Sequence, residues 1–139
     1  MYCERLGIEM GLYRTPDEHL GRLAMEVWRA ARLVVDTGLH ALRWPRARAV
    51  AYMRAHTSLP DETIEAEIDR YIGMPAQALA YKVGERKFLE LRAQAEAGFG
   101  ERCDVRSFHE CLFARGAVSL DQLDSHVREW DGSCPAREE

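Results

Sequence analysis

Arg32, Asp36 and His40 recur every four residues in the stretch Arg29 to His40, so on a helix they form one row along one face. Their neighbours Leu33, Val34, Val35 and Leu39 are apolar, and charged side chains are costly in such surroundings unless they are paired. A guanidinium, a carboxylate and an imidazole arranged this way admit two readings. In the first, Arg32 and Asp36 make an intrahelical ion pair while His40 complements the negative end of the helix dipole. In the second, the row borders a cleft, where His40 and Arg32 stabilise developing negative charge and Asp36 orients one of them.

A second constellation runs from Arg70-Tyr71 through Pro75, Gln77 and Tyr81 to Gly84. Pro75 predicts a helix start whose free backbone amides point at whatever lies before it. Gln77 and Tyr81 are four apart and share a face. An amide and a phenol near a helix N-terminus suit a carbonyl or an oxyanion; equally, Tyr81 packs in the core with its hydroxyl satisfied. His19, His56, His109 and His126 have no partner at zinc-ligand spacing, and no self-contained zinc site is expected. His109-Glu110 opens like a His-Glu-x-x-His helix, but position 113 is Phe. Gly-rich phosphate loops and nucleophile elbows are missing.

Helices must position these groups. The spacing predicts a first helix over 2–13 with Leu6, Ile8, Met10 and Leu12 among its apolar positions. Thr15-Pro16-Asp17-Glu18 reads as a capping box opening a long helix from Pro16 to His40 or Ala41. Leu20, Leu23, Ala24, Val27, Ala31 and Val34 are its expected core stripe. Pro45 opens a third helix through His56, with Val50 and Met53 inward. Pro60 opens a fourth through Tyr71 or Ile72, with acids complementing its dipole. A fifth is expected from Pro75 to about Ala97, a sixth capped by Asp104 and ending at Gly116, and a seventh from Ser119 to Trp130. No period-2 alternation supports a strand, so the fold class is all-α: a single domain over 1–130 and a frayed tail over 131–139.

Composition narrows the function classes. The chain has 139 residues, a net charge of −4 and 30% charged residues, with Lys and Arg spread rather than blocked, which disfavours a nucleic-acid footprint. Helices three and four suggest a helix-turn-helix, but the second would be acidic and repelled by phosphate. No apolar run approaches the roughly 20 residues of a bilayer span, and the N-terminus lacks the pattern of a signal peptide. A cytoplasmic setting is expected, with no membrane partner. Cys3, Cys103, Cys111 and Cys134 contain no Cys-x-x-Cys pair and read as reduced thiols, two of them filling core.

The string Tyr2-Cys-Glu-Arg-Leu-Gly, the block Trp28 to His40, the segment Arg70 to Gly84 with its Pro-x-Gln-Ala-Leu-Ala-Tyr-Lys-x-Gly pattern, and Phe108-His109 together resemble the carboxy-terminal part of the bacterial family known as domain of unknown function 885. The resemblance spans about Tyr2 to Trp130. Its members look like zinc metallopeptidases of the largely helical, thimet-like kind. The resemblance implies that this chain is the C-terminal lobe, about seven helices, of a larger helical zincin-like fold. In longer relatives it implies zinc, held by a His-Glu helix running into Pro-Gly-His-His and by a Glu-Gly-Trp segment, all upstream of the Tyr2 string. By the same resemblance His40, Tyr71 and Tyr81 line the substrate side of the cleft as catalytic candidates, with Arg32, Asp36 and Gln77 around them as substrate-binding candidates. Ala76 departs from the family's usual Gly, and Met74 and Cys103 stand where larger aromatic residues are expected.

The leading expectation is therefore a C-terminal fragment of a metallopeptidase-like hydrolase. It supplies cleft-lining residues, has no metal ligands or cofactor of its own, and is inactive alone. Its expected partners are an N-terminal catalytic half or a second copy, and a peptide-like substrate once assembled. The alternative is a non-catalytic helical interaction or scaffold protein derived from the same family. Metal-free chemistry by His40 and Tyr81 is a weaker third reading, because no nucleophile-base pair is evident.

Overall fold

The computed structural model describes residues 2–132 and contains seven α-helices: α1 (Tyr2–Glu9), α2 (Pro16–His40), α3 (Arg46–His56), α4 (Asp61–Gly73), α5 (Gln77–Phe99), α6 (Val105–Phe113) and α7 (Leu120–Glu129). A single 3₁₀ turn follows α5 at Gly100–Arg102, and no strand occurs among the described residues. The all-α expectation holds. No helix among them is long and apolar enough to cross a membrane.

The long helix begins where the sequence places it. The Thr15 side chain accepts from the Glu18 backbone N–H, and the Glu18 carboxylate accepts in return from the Thr15 N–H, which satisfies two of the free donors at the helix start. At its other end, Gly38 lies so close to Trp44 that a Cβ there would sit 2.5 Å from the indole. The missing side chain lets the chain fold back tightly before α3.

Some helix boundaries differ from expectation. The first helix stops at Glu9, followed by a turn with Gly11 at φ +66°. The fifth begins at Gln77 rather than Pro75, because Ala76 adopts a left-handed φ of +68°, which cannot continue a right-handed helix.

Two compact units divide at Glu85 and Arg86. In the first, Val35, Met53, Ile64, Ile68 and Tyr71 form a core of α2, α3 and α4, with Trp28, Leu39, Tyr52 and Leu59 packed against it. Val50 and Met53 point inward as expected. Of the expected stripe on α2, Ala31 is buried, but Leu20, Leu23, Val27 and Val34 are exposed, and the helix buries Arg32, Val35, Asp36 and Gly38 as well. Ile8, Met10 and Leu12 are also exposed.

In the second unit Leu91 and Ala95 of α5 join Phe108, Cys111 and Leu112 of α6 and Leu123 and Val127 of α7. Lys87 bonds Asp124 at 2.7 Å, tying α5 to α7. His126 Nε2 lies 3.0 Å from the Cys111 carbonyl oxygen and ties α6 to α7. Cys3 is exposed, Cys103 half-buried and Cys111 buried, all free; Cys134 and positions 133–139 of the expected tail lie outside the described residues.

Candidate functional site

The buried face of α2 is polar because α4 supplies its partners. Arg32 is 7% exposed and does not pair with Asp36, one turn on. Its Nε donates to the Tyr71 hydroxyl at 2.8 Å and its Nη2 to Glu67 Oε2 at 3.0 Å. An ion pair between helices replaces the intrahelical one that spacing suggested, since Glu67 and Tyr71, four apart on α4, present an acceptor and a hydroxyl together.

Tyr71 is the centre of the cluster. Its hydroxyl donates to Glu67 Oε2 at 2.7 Å and accepts from Arg32 Nε and, at 3.2 Å, from the Trp28 indole N–H. One donor and two lone pairs are thereby used in full. Burial and the bond to Glu67 both raise the Tyr71 pKa, outweighing the Arg32 charge and the bonds it accepts. Burial pushes Glu67 up as well, but bonds from Arg70 and Tyr71 and the charges of Arg70 and Arg32 outweigh it and bring its carboxyl down to about 2. Glu67 is therefore an anion throughout the physiological range.

From Glu67 the chain of bonds runs outward. Arg70 Nη2 bonds Glu67 Oε2 at 2.7 Å, and Arg70 Nη1 bonds Gln77 Oε1 at 2.7 Å. Gln77 Nε2 donates weakly, at 3.4 Å, to the Tyr81 hydroxyl. Tyr81 is 47% exposed, so the network begins in the core and ends at a phenol in solvent. The Arg32 guanidinium carbon also lies 4.3 Å from the Trp28 ring centroid, 5.2 Å from that of Tyr81 and 5.5 Å from that of Tyr71, within reach of cation–π attraction.

Asp36 and His40 pin the loop between α4 and α5 instead of joining this network. Asp36 Oδ1 accepts from the Ala76 backbone N–H at 3.2 Å, while the buried Oδ2 has no partner. His40 Nε2 lies 3.0 Å from the Tyr71 carbonyl oxygen, which a protonated Nε2 satisfies as donor and which leaves Nδ1 on an exposed ring.

The structure thus brings all six candidates (Arg32, Asp36, His40, Tyr71, Gln77 and Tyr81) around the junction of α2, α4 and the start of α5. Tyr71 is enclosed; Tyr81 and His40 are reachable. Sequence reasoning missed Trp28 and Glu67 as members. Glu67 could have been found from its spacing, three before Arg70 and four before Tyr71.

Zinc, which the resemblance implies for longer relatives, does not fit the donors present. Among the described residues no three His, Cys, Asp or Glu side chains come together in a way that could hold a metal ion. The carboxylate at the centre of the site, Glu67, is already saturated by two arginines and a phenol.

Comparison with known proteins adds three findings. The chain is similar over 93% of its length to the crystal structure of the "putative lipoprotein" from Colwellia psychrerythraea, with 45% identity and a TM-score of 0.90. It spans only 22% of that protein's chain. No curated protein matches. The family signature described as "Bacterial protein of unknown function (DUF885)" matches residues 1–127, so this chain belongs to the DUF885 family.

Proposed function

We propose that this chain forms one wall of the substrate cleft in a larger, metallopeptidase-like hydrolase, and is inactive alone. The observation that carries the reading is the continuous bond network from buried Arg32 and Tyr71 through Glu67, Arg70 and Gln77 to exposed Tyr81. It holds a phenol and an amide in fixed positions at the surface, and fixed donors of that kind stabilise an oxyanion in acyl transfer without reorganising. The 22% share of a solved relative's chain supports a role as part of something longer.

In this reading Tyr81 and Gln77 face the substrate and His40 borders it. Tyr71, with its hydroxyl fully bonded, holds Arg32 and Glu67 in place. The metal and the general base come from a separate portion of the assembly. A peptide is the fitting substrate class, because its tetrahedral intermediate carries the oxyanion that such donors bind.

The test is metal analysis with a peptidase assay on the purified chain. The expected result is neither stoichiometric zinc nor hydrolysis; both together would overturn the proposal. The positive arm adds a chain carrying the His-Glu and Pro-Gly-His-His segments. Hydrolysis should then appear and fall by about 10²-fold with Tyr81→Phe, the loss typical of one oxyanion donor. The exposed apolar positions of α2 favour a second reading, a non-catalytic interaction protein, which predicts no hydrolysis in either arm.

The compartment is a separate matter. The free thiols of Cys3, Cys103 and Cys111 support a cytoplasmic setting, whereas the description of the Colwellia relative as a lipoprotein points to a lipid-anchored one. Cell fractionation decides between them.

A further inference from the structure

The Arg32 and Arg70 guanidiniums share one counter-ion. Arg32 Nη2 at 3.0 Å and Arg70 Nη2 at 2.7 Å both donate to Glu67 Oε2, so a single oxygen holds two cations side by side. Tyr71 donates to the same oxygen and is neutral, its pKa raised by burial and by that bond. The cluster therefore keeps one positive charge in excess, and two like charges so close repel each other unless a second anion joins them. Neighbouring acids do not supply it. Asp36, one turn along α2, accepts from the Ala76 N–H at the start of α5, where the helix dipole opposes its charge. Glu26 and Glu85 are matched by Arg22 and Lys82.

The same two side chains also hold unused donors. A guanidinium carries five N–H groups. Arg32 uses two of them, and its Nη1 has no hydrogen bond among the described residues although the residue is only 7% exposed. Nη1 is not among the enclosed polar atoms that lack a partner, so it opens to solvent. Arg70, with a third of its side chain exposed, uses three: two to Glu67 and one to Gln77. Both cations border exposed Tyr81. The Arg32 guanidinium carbon lies 5.2 Å from its ring centroid, and Arg70 reaches it through Gln77. The Tyr81 hydroxyl accepts from Gln77 and keeps its own proton for another acceptor.

Unused N–H and O–H donors beside an excess positive charge are what an oxyanion requires. We infer that Arg32 and Arg70 together seat a carboxylate of the ligand beside Tyr81. A carboxylate matches both the single excess charge and the planar edge of a guanidinium, whereas a phosphate dianion exceeds that charge. As a statement about substrate, a peptide presenting a free carboxylate to the cleft, this rests on the hydrolase reading; the seat itself does not.

Titration of the isotope-labelled chain with N-acetylglycine, followed by nuclear magnetic resonance, tests it. The Trp28 indole N–H is the reporter, because it bonds the Tyr71 hydroxyl and its ring lies 4.3 Å from the Arg32 guanidinium carbon. Its signal should move saturably with N-acetylglycine and stay in place with N-acetylglycinamide, which has the same shape without the charge. Gln77→Glu should abolish the shift in a chain that circular dichroism shows to be folded, because the new carboxylate still accepts from Arg70 and fills the seat from within. Arg70→Gln should weaken binding about tenfold or more, while Arg106→Gln, exposed on α6, should bind as wild type does. No saturable shift with N-acetylglycine, an equal response to the amide, or an undiminished shift in Gln77→Glu overturns the seat. Inorganic phosphate binding more tightly than N-acetylglycine overturns its assignment to a carboxylate. These titrations need neither metal nor hydrolysis, so their failure leaves the hydrolase reading standing. Binding here with no hydrolysis in the two-chain assay overturns that reading and keeps the seat.

Discussion

Replacing Tyr71 by Phe removes one oxygen and leaves the ring in place. Three hydrogen bonds converge on that oxygen, from Trp28 at 3.2 Å, from Arg32 at 2.8 Å and to Glu67 at 2.7 Å. Each buried donor left without an acceptor costs about 1–3 kcal/mol. Arg32 keeps its 3.0 Å pair with Glu67, which offsets part of the loss, so the expected destabilisation is about 2–4 kcal/mol at pH 7. Urea titration should show a lower midpoint with an unchanged slope. The pH dependence sharpens the test. The folded-state pKa of Glu67, about 2 against an ordinary 4.5, lies below the unfolded value. Its contribution, up to about 3 kcal/mol, is therefore complete above the unfolded pKa and is lost as pH falls through the folded one. Tyr71 supplies one of the bonds that hold Glu67 down, so the gap between wild type and variant should narrow from pH 5 towards pH 2. A variant within about 0.5 kcal/mol of wild type at pH 7, or a gap that does not narrow in acid, would refute the view that Tyr71 organises the site.

Two further substitutions test the backbone that frames the network. Ala76 has a φ of +68°, where a Cβ is penalised by about 1–2 kcal/mol, so Ala76→Gly should raise stability by about 1 kcal/mol in thermal unfolding; a loss would mean that the left-handed turn is not adopted in solution. At Gly38 a Cβ would meet the Trp44 indole at 2.5 Å, and that ring is held by Arg48 at 4.1 Å and by Tyr52. Gly38→Ala gains about 1 kcal/mol of helix propensity but overpacks at about 1–3 kcal/mol, so a net loss of about 1 kcal/mol is expected from urea midpoints; a stabilised variant would show that Trp44 moves freely.

Local chemistry explains what the sequence disclosed about this fold. Thr15, Pro16 and Glu18 fix the start of α2 from within one turn, and Asp104 and Ser119 do the same for α6 and α7. The start of α5 was not legible because it depends on Asp36, forty residues away, accepting the Ala76 N–H; with that bond made, Pro75 belongs to a turn. The buried face of α2 was misread for a related reason. Apolar periodicity picked out positions that stay exposed, because burial followed the polar row once Glu67 and Tyr71, 35 and 39 residues distant, satisfied Arg32. Periodicity records which residues prefer to leave water. It does not record which partner is within the same chain. Arg32, Asp36, His40, Gln77 and Tyr81 were read from spacing on a helix and Tyr71 from the family resemblance, whereas Trp28 joins through a contact between helices.

The position of Arg32 among Trp28, Tyr71 and Tyr81 has one more consequence. Three aromatic rings around a cation, with a carboxylate behind it, are the furnishings of a receptor for a charged guest, and here the guest is tethered to the host. It has no dissociation rate and no competitor, so the cavity is saturated at every concentration of solute. Truncating Arg32 to Ala would vacate it and turn an internal strut into a true receptor, one that free guanidinium could occupy and whose occupancy would appear as stability that rises with guanidinium at low concentration before denaturation takes over.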